Sequence, residues 1–300
     1  MNERIANIKK LIKNYTIETT PKVYEKIGNL KNLLMPNAWV YITYLPNENP
    51  SNIIRTAKKI KDEGFNPIPH LPARTIKNFN ELESYIGNLS EIAGVNKILI
   101  IGGTGAQKGN ISSSIEILNT GLLDKFKYNQ IGLAGHPEGN PDINDNDLDK
   151  AIIDKNNFSK KTDAKLYLVT QFFFEAQSFI KWEKHLKTLE NKLEIHAGIP
   201  GPANIKTLIT FAKSCGIGNS IKFLTKQALN ISKIASTNAP DKLINDLANY
   251  KKLNSDSKLI KVHFYPFGGM KRTSSWVNAL IKNEISIKDN GSIKINDFRF

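Results

Sequence analysis

Lys97-Ile98-Leu99-Ile100-Ile101-Gly102 is the run on which the fold turns. Four aliphatic residues stand in a row, three of them β-branched, and glycine ends them. No polar residue alternates with them, so both faces of the strand they form are covered. Strands buried on both faces belong to parallel sheets wrapped by helices. Similar runs lie to either side: Trp39-Val40-Tyr41-Ile42-Thr43-Tyr44, Asn66-Pro67-Ile68-Pro69-His70-Leu71, Gln130-Ile131-Gly132-Leu133-Ala134, Leu166-Tyr167-Leu168-Val169-Thr170-Gln171, Glu194-Ile195-His196-Ala197-Gly198 and Leu259-Ile260-Lys261-Val262-His263-Phe264-Tyr265. A shorter one, Tyr15-Thr16-Ile17-Glu18, precedes them all.

Helical spacing fills the intervals. Ile5, Ile8, Leu11 and Ile12 open the chain as an amphipathic helix. Thr19-Thr20-Pro21 starts a second, which the spacing carries through Leu34. Further helices are expected over about 51–63, 79–92, 112–123, from 145, and over 175–189, 203–214, 219–233, 240–252 and 274–283. Eight strand–helix units predict a (β/α)8 TIM barrel, residues 1–300 forming a single domain with an N-terminal helix and a short C-terminal tail. An open flavodoxin-like or Rossmann sheet is the competing arrangement. Its dinucleotide fingerprint is missing, since Gly103-Thr104-Gly105-Ala106-Gln107-Lys108 has lysine where the third glycine belongs, and the same stretch contains no Walker A loop.

Composition narrows the function. No apolar run approaches the roughly 20 residues of a membrane span, and Met1-Asn2-Glu3-Arg4 lacks the apolar core of a secretory signal, so a cytoplasmic protein with no membrane partner is expected. Cys215 is the single cysteine; it excludes an internal disulfide and a multi-cysteine zinc site, and reads as a packed helix-end residue. The net charge is +14, yet the lysines are scattered doublets such as Lys9-Lys10 and Lys160-Lys161. With no basic block, zinc-finger spacing or aromatic RNA-binding signature, nucleic acid is not the expected partner. A basic surface suits an anionic cofactor better.

A barrel of this kind works at the C-terminal ends of its strands. Those ends carry Glu18, Thr43, His70 with Arg74, Gly102 to Thr104, His136 with Glu138, Gln171, Gly198 and Tyr265. The loop Gly135-His136-Pro137-Glu138-Gly139-Asn140-Pro141-Asp142 is a polar rim on a rigid strand. Each residue alone has a plainer reading: Thr43 as a strand cap, His70 as a core histidine, Gln171 as a backbone partner. Their convergence on one face is the stronger signal. The histidines sit on different elements, so no metal site is expected, and no Gly-x-Ser-x-Gly elbow supports acyl transfer.

Thr170-Gln171-Phe172-Phe173-Phe174-Glu175, together with Pro69-His70-Leu71, His136-Pro137-Glu138 and His263-Phe264-Tyr265 in the same order, resembles the 5,10-methylenetetrahydrofolate reductase family over about 18–270. The resemblance implies a (β/α)8 barrel that binds FAD and uses NADH or NADPH to reduce the folate's methylene carbon to methyl. It implies Glu18 as the general acid that opens the folate ring, with burial raising its pKa. Gln171 and Tyr265 then face the substrate. Thr43, His70, Gly103, Thr104, His136, Glu138 and Lys161 become flavin contacts, the lysine at the diphosphate.

Two departures stand out. Gly102-Gly103-Thr104 replaces the family's usual Arg-Gly-Asp, and Gly268-Gly269 replaces Asn-Arg after the last strand, with Lys271 and Arg272 the nearest cations. They keep a flavin-independent reductase, or a barrel acting on another folate or pterin, open beside the FAD enzyme. The oligomeric state stays open, a homo-oligomer included, and a non-catalytic basic binding protein is the reading from a different class.

Overall fold

Every apolar run becomes a barrel strand. The computed structural model describes residues 3–103, 106–218, 221–222, 224–225, 237–298 and 300. The barrel strands are β1 (Thr16–Thr19), β2 (Trp39–Ile42), β3 (Asn66–Pro72), β4 (Lys97–Ile101), β5 (Gln130–Gly135), β6 (Lys165–Thr170), β7 (Glu194–Pro200) and β8 (Leu259–Tyr265). Each pairs in parallel with the next, and β8 closes on β1. The segments before, between and after these strands supply α1 (Glu3–Ile12), α2 (Pro21–Ile27), α3 (Pro50–Asp62), α4 (Phe79–Glu91), α5 (Ser114–Leu118), α6 (Leu122–Lys125), α7 (Asp145–Phe158), α8 (Ala176–Thr188), α9 (Ile205–Ser214), α10 (Asp241–Leu253) and α11 (Met270–Lys282).

The many asparagines have a structural use here. Asn49, Asn78, Asn144 and Asn204 cap α3, α4, α7 and α9, each side-chain oxygen accepting a backbone N–H of the first turn. Such a cap contributes about 1 kcal/mol over alanine.

Alternation along the strands sorts the core into two layers. Ile17, Val40, Ile42, Ile98, Ile100 and Phe264 face the helices and are fully buried with them. Burying one such side chain stabilises the fold by about 1.5–3 kcal/mol. The opposite parity points into the barrel, where Tyr41, Ile68, Leu99, Tyr167 and Val169 pack together. The Tyr41 and Tyr167 hydroxyls meet there at 3.0 Å, so neither is left unpaired. Trp39 and stacked Tyr167 and His196 fill the lower interior, with the Lys261 ammonium 3.7 Å from the Trp39 ring centroid. The upper interior is thereby left to polar groups.

Local backbone chemistry moves several expected boundaries. Gly28 at φ 77° ends α2 at Ile27, well before Leu34. Gly121 at φ 73° divides the expected 112–123 helix into α5 and α6. The last helix begins earlier than expected, at Met270. The expected tail is instead an antiparallel hairpin, Ile285–Ile287 with Ile293–Ile295, pinned by Ile293 N–H donating to Asp241. The helix expected over 219–233 falls largely outside the described residues. Among the described residues, no helix is long and apolar enough to cross a membrane.

Candidate active site

Strand parity and register build the site. Ile17 faces the helices, so Thr16 and Glu18 on either side of it face inward. On β8, Phe264 faces outward and His263 and Tyr265 face inward. Register then sets Thr16 directly beside His263 and Glu18 beside Tyr41. β3 places His70 two residues above interior Ile68, and Thr43 follows β2, its N–H bonded to the Thr19 carbonyl.

The result is a buried carboxylate held from three sides. Glu18 is only 8% exposed. His70 Nε2 stands 3.2 Å and His263 Nε2 3.3 Å from Glu18 Oε1. Both are at ion-pair distance, although neither N–H aligns on the oxygen as a hydrogen bond. Thr43 Oγ1 donates to Glu18 Oε2 at 3.1 Å, and Thr16 Oγ1 lies 2.7 Å from His263 Nδ1. Burial pushes the Glu18 carboxyl up, but the charge and proximity of His70 and His263 outweigh it and hold the group well below the usual carboxylate range. The expectation that burial would raise this pKa is therefore corrected: the imidazoles decide the sign. Burial pushes His263 down, partly offset by Glu18.

The wall opposite is aromatic. Tyr265 is half-buried, its hydroxyl donating to the Thr170 carbonyl at 2.9 Å. Burial, then the Glu18 charge, pushes its phenol well above the ordinary value. Gly198 makes this arrangement feasible: a Cβ there would lie 2.2 Å from the Thr170 carbonyl oxygen and 2.8 Å from the Tyr265 ring. Phe172, Phe174, Phe267 and α9 pack around Tyr265 as a separate apolar cluster above the barrel. Gln171 is held by its N–H to the Gly135 carbonyl. The expected helix-end Cys215 is half-buried against this cluster, its thiol 4.0 Å from the Ser214 hydroxyl and pushed up by burial.

On the β5 side, His136 is half-buried, and burial with the nearby Lys155 ammonium pushes it down to about 4. Glu138 lies in the same half-buried loop, which is closed by Gly139 N–H bonding to the His136 carbonyl. Lys155 of α7 is the residue that sequence reasoning missed. It is 5% exposed, donates to the Ala134 carbonyl at 2.7 Å, and burial pushes it down to about 8. Lys161, the lysine expected at the diphosphate, is exposed in the turn between α7 and β6. That turn leads into the N-terminal end of β6, so the structure does not bring Lys161 to the site. Lys155 had a sequence signal: it continues the Leu148, Ile152 spacing on the apolar side of α7, where a lysine is out of place.

Gly103 follows β4 with φ 87°, and a Cβ there would lie 3.0 Å from the Pro72 side chain, while a Cβ on Gly102 would meet open space. Thr104 lies outside the described residues. The Gly268-Gly269 departure has a backbone cause. A Cβ on Gly268 would lie 1.9 Å from the Pro202 carbonyl oxygen, and Gly269 takes φ 103° as the cap of α11. Lys271 and Arg272 are exposed on the first turn of that helix. Among the described residues, no cluster of three or more His, Cys, Asp and Glu has the arrangement of a metal site.

The family model described as Methylenetetrahydrofolate reductase matches residues 14–265, from the turn before β1 to the end of β8. Among solved structures, a tetrameric deoxyribose phosphate aldolase from Aeropyrum pernix is 10% identical at TM-score 0.37, covering 93% of this chain and 95% of that one. A type I 3-dehydroquinate dehydratase from Clostridium difficile is 9% identical at TM-score 0.40, covering 73% and 92%. Neither likeness bears on activity.

Proposed function

The chain belongs to the methylenetetrahydrofolate reductase family, and from that premise we propose that it reduces 5,10-methylenetetrahydrofolate to 5-methyltetrahydrofolate, using NADH or NADPH through bound FAD. The observation that carries the reading is Glu18, buried at the mouth between His70 and His263 with Thr43 on its other oxygen. A buried carboxylate whose pKa is displaced by two imidazoles is the kind of group that gathers where chemistry is done.

The residues on one side of the mouth fit a flavin. The Thr43 hydroxyl and His70 stand beside Glu18, and the glycine pair after β4 lets a planar ring approach the backbone. His136, Glu138 and Lys155 rim the β5 side, the buried ammonium offering a charge-assisted donor to a diphosphate. Gly103 and Thr104, which follow β4 in sequence, are the further flavin contacts of this reading. When bound, FAD supplies two-electron transfer between nicotinamide and folate.

The remaining work falls to the chain's own groups. Gln171 offers both an amide donor and an acceptor to a pterin edge, and Tyr265 with the phenylalanine cluster keeps water from the reacting carbon. Opening the folate ring places one proton on the departing nitrogen, and Glu18 is the group positioned to deliver it. Its low resting pKa means that the proton is taken up during the cycle instead of being stored in the free enzyme.

The test is the visible spectrum of the freshly purified protein, followed through turnover. Flavin absorption that bleaches with NADH and returns with methylenetetrahydrofolate supports the reading. A colourless protein that still turns over transfers hydride directly from the nicotinamide, which would overturn the FAD part. No turnover at all would overturn the reductase.

A further inference from the structure

We propose that Thr16 is a positioning residue that acts on Glu18 through His263, holding the ring hydrogen on Nε2, where it faces the carboxylate. The inference rests on the reductase reading above and adds two residues to its acid.

His263 is fully buried, and each ring nitrogen faces one polar group. Nδ1 is 2.7 Å from Thr16 Oγ1 and Nε2 is 3.3 Å from Glu18 Oε1. The β1–β8 register holds Thr16 and His263 side by side, so neither partner can drift away. A threonine hydroxyl can donate to an imidazole nitrogen or accept from one. When Thr16 donates to Nδ1, the ring hydrogen sits on Nε2 and faces an ionised Glu18. When Thr16 accepts from Nδ1–H, the bare Nε2 faces Oε1, which is tolerable in a dry interior only if that oxygen carries the proton. The ionised carboxylate therefore selects the ring with hydrogen on Nε2, and Thr16 holds it there by donating to Nδ1.

The surroundings favour a neutral ring over an imidazolium. Tyr41 of β2 packs its ring 4.5 Å from His263, and Tyr265 of β8 lies 4.8 Å away. His70 of β3 faces the same Glu18 oxygen, and His196 of β7 lies in the layer below. Among these, the one charge that would stabilise an imidazolium is Glu18 itself.

The proton count closes. Glu18 gives its proton to the folate nitrogen as the bond from that nitrogen to the methylene carbon breaks, the electron pair staying on nitrogen. The carbon, still on its other nitrogen, accepts hydride derived from the nicotinamide. The carboxylate left behind faces the Nε2–H that Thr16 keeps in place, and a solvent proton is taken up again during the next cycle.

The experiment is NMR of protein carrying ¹⁵N-labelled histidine, without substrate, for wild type, Thr16→Val and Thr16→Ser, with His263→Asn assigning the resonance. Wild type should show His263 as one tautomer, hydrogen on Nε2, near neutral pH. Thr16→Val should give mixed tautomers and a displaced pH–rate profile, with kcat down about 3- to 10-fold and KM little changed, as loss of one hydrogen bond implies. Thr16→Ser should restore all of these. A Thr16→Val protein with the wild-type tautomer and pH profile overturns the proposal; if that variant does not fold, Thr16→Ala is judged by the same criteria. Should the tautomer shift as expected while no variant reduces methylenetetrahydrofolate, the reductase reading fails and the coupling stands.

Discussion

The Thr43 hydroxyl donates to Glu18 Oε2 at 3.1 Å, joining the end of β2 to the end of β1 across the mouth of the barrel. The two imidazoles stand at ion-pair distance from the other oxygen, 3.2 and 3.3 Å away. A hydrogen bond to a charged group contributes about 1.5–3 kcal/mol. Thr43→Val removes it and raises the Glu18 pKa. The limb of the pH–rate profile on which activity falls with rising pH should move to higher pH, with the melting temperature little changed. An unmoved limb would take Thr43 out of the acid's surroundings.

Gln171 follows β6, its backbone N–H bonded to the Gly135 carbonyl at 2.8 Å. Gln171→Glu replaces two N–H donors by a second carboxylate in the same mouth. Folate KM should rise about 10- to 100-fold, as the loss of a buried polar contact implies, while flavin reduction by NADH proceeds as before. Steady-state and half-reaction kinetics separate the two, and unchanged folate kinetics would remove Gln171 from the site.

Lys155 links the site to stability. Its folded pKa of about 8 lies below the ordinary 10.5, so between those values the unfolded chain binds more protons and stability rises with pH. Below pH 8 both states are charged and the burial penalty is fully present. Lys155→Met should therefore be the more stable protein at pH 7, by about 2–3 kcal/mol at most, and should lose the rise between pH 8 and 10.5. Its flavin content should fall. Denaturant melts across that pH range, with the visible spectrum, measure both; a variant that is less stable at pH 7 contradicts the assignment.

Gly198 is demanded by packing. With Ala in its place, the new methyl meets the Thr170 carbonyl oxygen and the Tyr265 ring. Overpacking costs typically about 1–3 kcal/mol, and here the fixed neighbour is backbone. Gly198→Ala should lower the melting temperature and disturb the Tyr265 wall, raising folate KM. A variant matching wild type in both would show that β7 can shift away.

Much of this was legible in the chain because burial on both faces erases alternation. Runs such as Lys97–Gly102 read as parallel strands with no structure in hand, and their ends named Glu18, Thr43, His70 and Tyr265. What stayed hidden depends on direction and offset. His263 and Thr16 lie within strands, yet parity would have found them: each stands two residues before a rim residue, on the same face. Lys155 was concealed because a helix brings a residue in from outside the rim, whereas Lys161 merely sits near the next strand in sequence. The sign of the Glu18 pKa shift depends on two imidazoles from β3 and β8, a distance no spacing encodes. The Gly268-Gly269 change reads as lost chemistry in sequence and as a close backbone approach in the fold.

The central claim is tested most directly by quantifying 5-methyltetrahydrofolate formed from NADH and methylenetetrahydrofolate by wild type and Glu18→Gln. General-acid loss costs about 10²- to 10⁴-fold. Wild type should form methyl product in step with NADH oxidised, and Glu18→Gln should form almost none while NADH still reduces its flavin. Methyl product at the wild-type rate from Glu18→Gln, or NADH oxidation without methyl product from wild type, would contradict the account.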